Sequence, residues 1–287
     1  MINDVSHGVS MLNAAQTFSH QNNSCEKFTP TPPKSEISSE SSSKRAKGEA
    51  ESSGFIHSST SDTRSSYFYV DKYMARARKM KCGVITSARL HEEELKYKKG
   101  GYRWKAAFLT LTYKDISAWK PKHITSLIKS IREYLKRKGI EFRYLWVAEL
   151  QKRGAVHYHL IVWLPKGLSL PKPDKRGWWP HGMTNIQWAK NAVGYVAKYA
   201  SKGEDSAYDF PKGLRLHGCG GLGVVSRIER AWWAFPKWVR DYFTDKTCRI
   251  KRPQGGGILN WDTGEFITSP YRVEIVPGGG VRIFKVN

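Results

Sequence analysis

The sequence is poor in what would tie a chain to a membrane or an oxidising compartment. No apolar run approaches the roughly 20 residues of a membrane-spanning helix. The opening MINDVSHGVSMLNAAQ lacks the basic-then-apolar order of a secretory leader, so none is expected. Cysteine is scarce, and Cys25, Cys82, Cys219 and Cys248 stand without paired spacing, which argues against a disulfide framework or a cysteine zinc site and fits a reducing cytoplasm. There is no Walker-type phosphate loop and no repeat of solenoid period. Acidic residues are also few: 25 against 48 Lys and Arg, a formal net charge of +23. With no membrane element in sight, such a chain is expected to meet nucleic acid.

The charge is unevenly placed. Residues 1–66 include 17 serines and carry a net charge of −1, with little to bury, and read as a disordered tail. The remainder carries +24 and all 11 tryptophans, so the basic surface belongs to the folded part. Residues 67–249 read as one domain opening on a basic helical segment over 68–99, interrupted near Gly83–Thr86; residues 250–287 read as a small β-hairpin extension. Within the domain, YRWKAAFLTLTY alternates as a strand. PKHITSLIKSIREYLKRKG has helical spacing, closed by Gly139. FRYLWVAELQ and AVHYHLIVWLP form a hairpin around Lys152-Arg153-Gly154. TNIQW is a short strand, AKNAVGYVAKYASKG a helix ending at Gly203, 213–223 a glycine-rich loop, and RIERAWWAFPKWVRDYF a helix broken at Pro236.

Two stretches carry chemistry. On a strand, alternate side chains share a face, so His157 and His159 point the same way, roughly 7 Å apart. A loop at 152–154 pairs Gln151 with Ala155, and the same register sets Glu149 opposite His157. One carboxylate and two imidazoles then converge as a ligand set for Mg²⁺, Mn²⁺ or Zn²⁺ with open coordination positions. The plainer reading is a polar patch on a solvated sheet face. In GYVAKYASK, Tyr195 and Tyr199 lie one helical turn apart, and Lys198 and Lys202 each follow three residues behind a tyrosine. A phenol with a pKa of about 10 is a poor nucleophile unless a nearby cation favours its phenolate. The plainer reading is two core aromatics with lysines at the rim.

FLTLT (108–112), HYH (157–159) and YVAKYASK (195–202), in that order, resemble the three motifs of the HUH endonucleases. Within that superfamily they are similar to the two-tyrosine rolling-circle replication initiators of small single-stranded-DNA phages, filamentous phages and plasmids. The resemblance covers roughly 102–203. Tyr158 stands where the family has a bulky hydrophobic residue, and Glu149 matches its acidic third ligand. The resemblance implies an α+β fold, a central antiparallel sheet flanked by helices and similar to RNA-recognition modules. It implies Mg²⁺ or Mn²⁺ on Glu149, His157 and His159, attack on single-stranded origin DNA by Tyr195 or Tyr199 aided by Lys198 and Lys202, and a 5′-phosphotyrosine with a free 3′-OH. It also implies a bacterial host cytoplasm, with host helicase and DNA polymerase as partners. A transposase or mobilisation relaxase shares this chemistry; a non-catalytic basic nucleic-acid-binding protein is the alternative from another class. Candidate DNA contacts are Thr110 and Thr112 on the first motif strand, Arg103 and Lys105 before and on it, and Trp178 and Trp179, which either stack bases or cap the core. The segment 72–105, with eleven basic and three acidic residues, is a further expected DNA contact, against a solvated helix face.

Overall fold

A computed structural model of the chain describes residues 67–98, 103–254, 256–277 and 280–286. The serine-rich tail expected over 1–66 lies outside the described residues. Strand β1 (Tyr67–Asp71) runs directly into helix α1 (Lys72–Tyr97). Asp71 caps that helix, its side chain accepting hydrogen bonds from the backbone N–H groups of Tyr73 at 2.9 Å and Met74 at 2.8 Å. The helix is unbroken, contrary to the interruption expected at Gly83–Thr86. Gly83 is there for a close approach: a Cβ would sit 2.9 Å from His217 Nε2. Val84, Thr86 and Ser87 turn into the protein, and Ser87 Oγ donates to Gly83 O at 2.6 Å.

After it come β2 (Trp104–Thr112), α2 (His123–Arg137), β3 (Arg143–Leu150), β4 (Val156–Pro165), β5 (Thr184–Ala189), α3 (Ala192–Asp205) and β6 (His217–Gly220). The five strands form one antiparallel sheet in the order β5-β2-β4-β3-β6. The fold is thus α+β, as expected. β4 is central and buried along its whole length, which is why VHYHLIVWLP reads as a nearly continuous apolar run rather than an alternation. α2 buries Ile124, Leu127, Ile128, Ile131 and Leu135 and leaves Lys129, Arg132, Lys136 and Arg137 outside. It covers the face that carries Tyr158, whose hydroxyl accepts from Trp119 Nε1 at 2.8 Å. α1 and α3 pack on each other and on the opposite face, the one that carries the histidines.

β6 lies inside the stretch expected to be a glycine-rich loop. Gly218 and Gly220 belong to that strand because the aromatic side chains of β3 fold over them: a Cβ would meet Trp146 at 2.5 Å and Tyr144 at 2.6 Å. Helices α4 (Val224–Trp233) and α5 (Lys237–Tyr242) flank Pro236, as expected. The C-terminal residues form β7 (Ile250–Lys251), β8 (Ile258–Asn260), β9 (Phe266–Ile267), β10 (Tyr271–Val276) and β11 (Gly280–Lys285). β11 pairs with β1, so the β-rich C-terminal segment is joined to the residues that lead into α1 rather than standing apart from residue 250. That pairing also makes Tyr67–Asp71 strand where helix was expected from residue 68.

Two buried imidazoles outside the motif strand give the fold a pH signature. His91 is fully buried and stacks on Trp163 at 4.3 Å between ring centroids; burial first, then the Arg143 charge, pushes its pKa down to about 3. Burial and then Arg230 push His217 down to about 4. Both are neutral in the folded protein and have an ordinary value of about 6.5 when unfolded. Between those values the unfolded chain binds more protons, so stability present above pH 6.5 is lost as pH falls. The urea midpoint should therefore drop steadily from pH 7 to pH 4.5, on the order of 1–3 kcal/mol per imidazole over the full titration. A midpoint that is flat over this range would contradict the buried neutral state.

Candidate active site

The site is assembled by the β3–β4 hairpin. Gln151 N donates to Ala155 O at 2.9 Å and Gly154 N donates to Gln151 O at 2.8 Å. Gly154 has φ +82°, the left-handed conformation that closes a three-residue loop. The resulting register pairs Glu149 with His157 and Val147 with His159. On the other side of β4, Thr112 lies opposite His157 and Thr110 opposite His159, both threonines half-buried. Exposed Asn185 on β5 lies opposite Thr110. One sheet face therefore carries Glu149, both histidines, both threonines and Asn185.

α3 crosses this face. Gly203 lets it approach α1, since a Cβ there would sit 2.4 Å from Met80 Cε; the helix continues to Asp205, two residues past the expected end. Tyr195 and Tyr199 both turn toward the sheet, their rings 5.2 and 5.6 Å from that of Phe108. Tyr199 lies flat on His159, with 3.5 Å between ring centroids and 23° between planes. Phe108 also stacks on His159 at 5.4 Å, so one phenylalanine supports a histidine and both tyrosines. Sequence reasoning did not single it out, although it opens the first motif. Phe108→Ala should cost roughly 3–5 kcal/mol in urea denaturation, against about 1 kcal/mol for Phe108→Leu. Equal small losses would show that the wedge is not packed as described.

Glu149 is the electrostatic centre. Its Oε2 lies 2.7 Å from His159 Nε2 and its Oε1 2.8 Å from Lys202 Nζ. Burial pushes this carboxyl up, but the hydrogen bonds from His159 and Lys202 and their charges overcome it and hold Glu149 below the ordinary glutamate value. Burial, then His159, lowers His157 to about 4, and burial lowers His159 against the pull of Glu149. The carboxylate is charged and both imidazoles are neutral near pH 7, the states that ligands need. Nδ1 of each histidine is buried without a hydrogen-bond partner. In type and charge the trio fits a divalent cation. Its present contacts are different: both Glu149 oxygens are spent on Lys202 and His159, and among the described residues no group of three His, Cys, Asp or Glu converges as a ready coordination shell.

The expected effect of lysine on the phenols is only half realised. Lys202 Nζ is 5.4 Å from the Tyr199 ring centroid and pulls that pKa down, yet burial and the Glu149 charge outweigh it and leave Tyr199 raised. Tyr199 is thus a neutral phenol at pH 7. Tyr195 is more exposed, at 38%, and Lys198 points to solvent.

The other candidate contacts divide. Trp179 is fully buried, donates Nε1–H to Thr112 O at 3.2 Å and meets Tyr113 edge-on; it caps the core and is not a stacking platform. Trp178 is half-buried against Tyr134 of α2. Lys105 belongs to the face opposite the histidines, its Nζ 5.8 Å from the ring of Trp188, and Arg103 is exposed just before β2. Trp188, 48% exposed on edge strand β5, is an aromatic surface that the sequence did not flag. Arg153 was likewise missed: at the hairpin tip it donates to Lys114 O at 3.1 Å and also to Tyr113 O, and its charge acts on His157. Part of the basic charge over 72–105 is consumed internally: Arg89 pairs with Glu93 and Glu229, and Lys98 with Glu141. Cys82, Cys219 and Cys248 are not disulfide-bonded. No helix among the described residues is long and apolar enough to cross a membrane.

No curated protein and no solved structure matches the chain. Residues 106–204, about a third of the chain and the stretch that runs from β2 through α3, match the Replication-associated protein ORF2 family, which supports a replication-associated protein.

Proposed function

We propose that the chain nicks and rejoins single-stranded origin DNA and so starts rolling-circle replication. The observation that supports this most directly is the stacking of Tyr199 on His159, with Glu149 beside it. That contact brings a phenol, an imidazole and a carboxylate to one spot on the sheet, with Tyr195 a helical turn away.

Glu149, His157 and His159 are the residues that would hold Mg²⁺ or Mn²⁺, and such an ion would polarise the scissile phosphate. A tyrosine oxygen attacks phosphorus in line, its phenolic proton passing to water. The bond from phosphorus to the 3′ oxygen breaks, that oxygen takes up a proton, and the 5′ phosphate remains esterified to the tyrosine. Lys198 and Lys202 place ammonium groups beside charge that grows on the phosphoryl oxygens. Because the ester keeps the energy of the broken linkage, a 3′-OH can attack it and restore the diester without ATP. A second phenol one turn along α3 permits a second cleavage before the first adduct is resolved. The freed 3′-OH primes a host polymerase, and strand separation falls to a host helicase. Thr110, Thr112 and Asn185 line the same face as polar groups within reach of a bound strand.

The test is direct. With single-stranded origin DNA and Mn²⁺, a covalent protein–DNA band is expected on a denaturing gel. Under the same conditions without divalent metal, the band should be absent. Binding with no covalent band at any metal concentration would instead favour a non-catalytic nucleic-acid-binding protein.

A further inference from the structure

Glu149 is the one acidic side chain of the trio, and Lys202 already holds it. Lys202 Nζ lies 2.8 Å from Oε1, while Oε2 faces His159 Nε2 at 2.7 Å. The two partners differ in freedom. Side-chain exposure is 12% for Glu149 and 49% for Lys202, so the carboxylate is fixed in the protein and the ammonium can leave for water. Lys202 also stands over the Tyr199 ring, from the third position after it on α3, so the same ammonium can turn from the carboxylate to the phenol. An ammonium and a divalent cation cannot share one carboxylate oxygen without strong repulsion in a half-buried site.

We propose that Lys202 competes with the divalent cation for Glu149, so that binding the cation releases the lysine to act at Tyr199 and the phosphate. This rests on the metal-dependent reading of the site. The carboxylate is never left unpaired: it keeps a positive partner before and after the exchange. The ammonium becomes available for the phosphate only once the cation is held. Lys202 is then a coupling element between cation binding and phosphate chemistry, and not only a stabiliser of charge.

The experiment titrates full-length protein with Mn²⁺ and follows free Mn²⁺ by electron paramagnetic resonance at low ionic strength. Wild type is compared with Lys202→Ala, Lys202→Gln and Lys202→Arg, each checked for folding by circular dichroism; the glutamine variant serves if the alanine variant fails to fold. The neutral variants should bind Mn²⁺ about three- to ten-fold tighter, Lys202→Arg should stay near wild type, and added salt should shrink the difference. The neutral variants should also form the DNA adduct more slowly despite binding Mn²⁺ better, a split that a purely structural lysine would not produce. Unchanged or weaker Mn²⁺ binding in both neutral variants overturns the competition while leaving the metal-dependent reading intact. Failure of wild type and all variants to bind Mn²⁺ overturns both.

Discussion

Replacing both tyrosines, Tyr195→Phe with Tyr199→Phe, abolishes the covalent DNA adduct while leaving single-stranded DNA binding within about two-fold of wild type. The loss of adduct should exceed about a thousand-fold, because no other group near the phosphate supplies the attacking oxygen. The substitution removes two hydroxyls and keeps both rings, so the stacking of residue 199 on His159 and the packing of both rings against Phe108 survive. Folding is therefore not at stake. The single variants should differ, because the phenols have different surroundings: Tyr199 is half-buried on the histidine with a raised pKa, and Tyr195 is exposed. A quench-flow comparison of the two single variants on one oligonucleotide reads this out. An adduct that persists in the double variant would move the nucleophile elsewhere.

His159→Ala carries the second large effect. This imidazole is only 4% exposed and touches Glu149, Tyr199, Phe108 and His157. Its loss should reduce Mn²⁺-dependent cleavage by at least about a hundred-fold. It should also cost on the order of 2 kcal/mol of stability through the cavity beneath the tyrosine helix. His159→Gln separates the two losses: it refills most of the space and should restore much of the stability with little of the cleavage. Wild-type cleavage in either variant would exclude His159 from the chemistry.

What could be read from the residues alone depended on how local the cause was. The pairing of Glu149 with His157 follows from a three-residue loop ending in glycine and from the two-residue period of strands, both settled within ten residues. α2 was legible for the same reason, since its apolar stripe and Gly139 lie within one segment. Where the cause was distant, the residues misled. Gly83 looked like a helix break because the imidazole that needs the space lies on β6, and Gly218 and Gly220 looked like loop because the rings that cover them lie on β3. Trp178 and Trp179 are neighbours with opposite surroundings, set by the path of the loop against β2 and α2. The bridge from Lys202 to Glu149 spans 53 positions and leaves no trace in either local pattern.

The strand that carries the histidines is buried from end to end, with helices on both of its faces. Its register with β2 and β3 cannot slip by one residue without turning every side chain over. On the proposed reading this makes the fold its own safety catch. A copy that is unfolded, or zipped one notch out of step, has its histidines turned away from its tyrosines. Such a copy is harmless to the genome it shares a cell with, and only a finished molecule is armed.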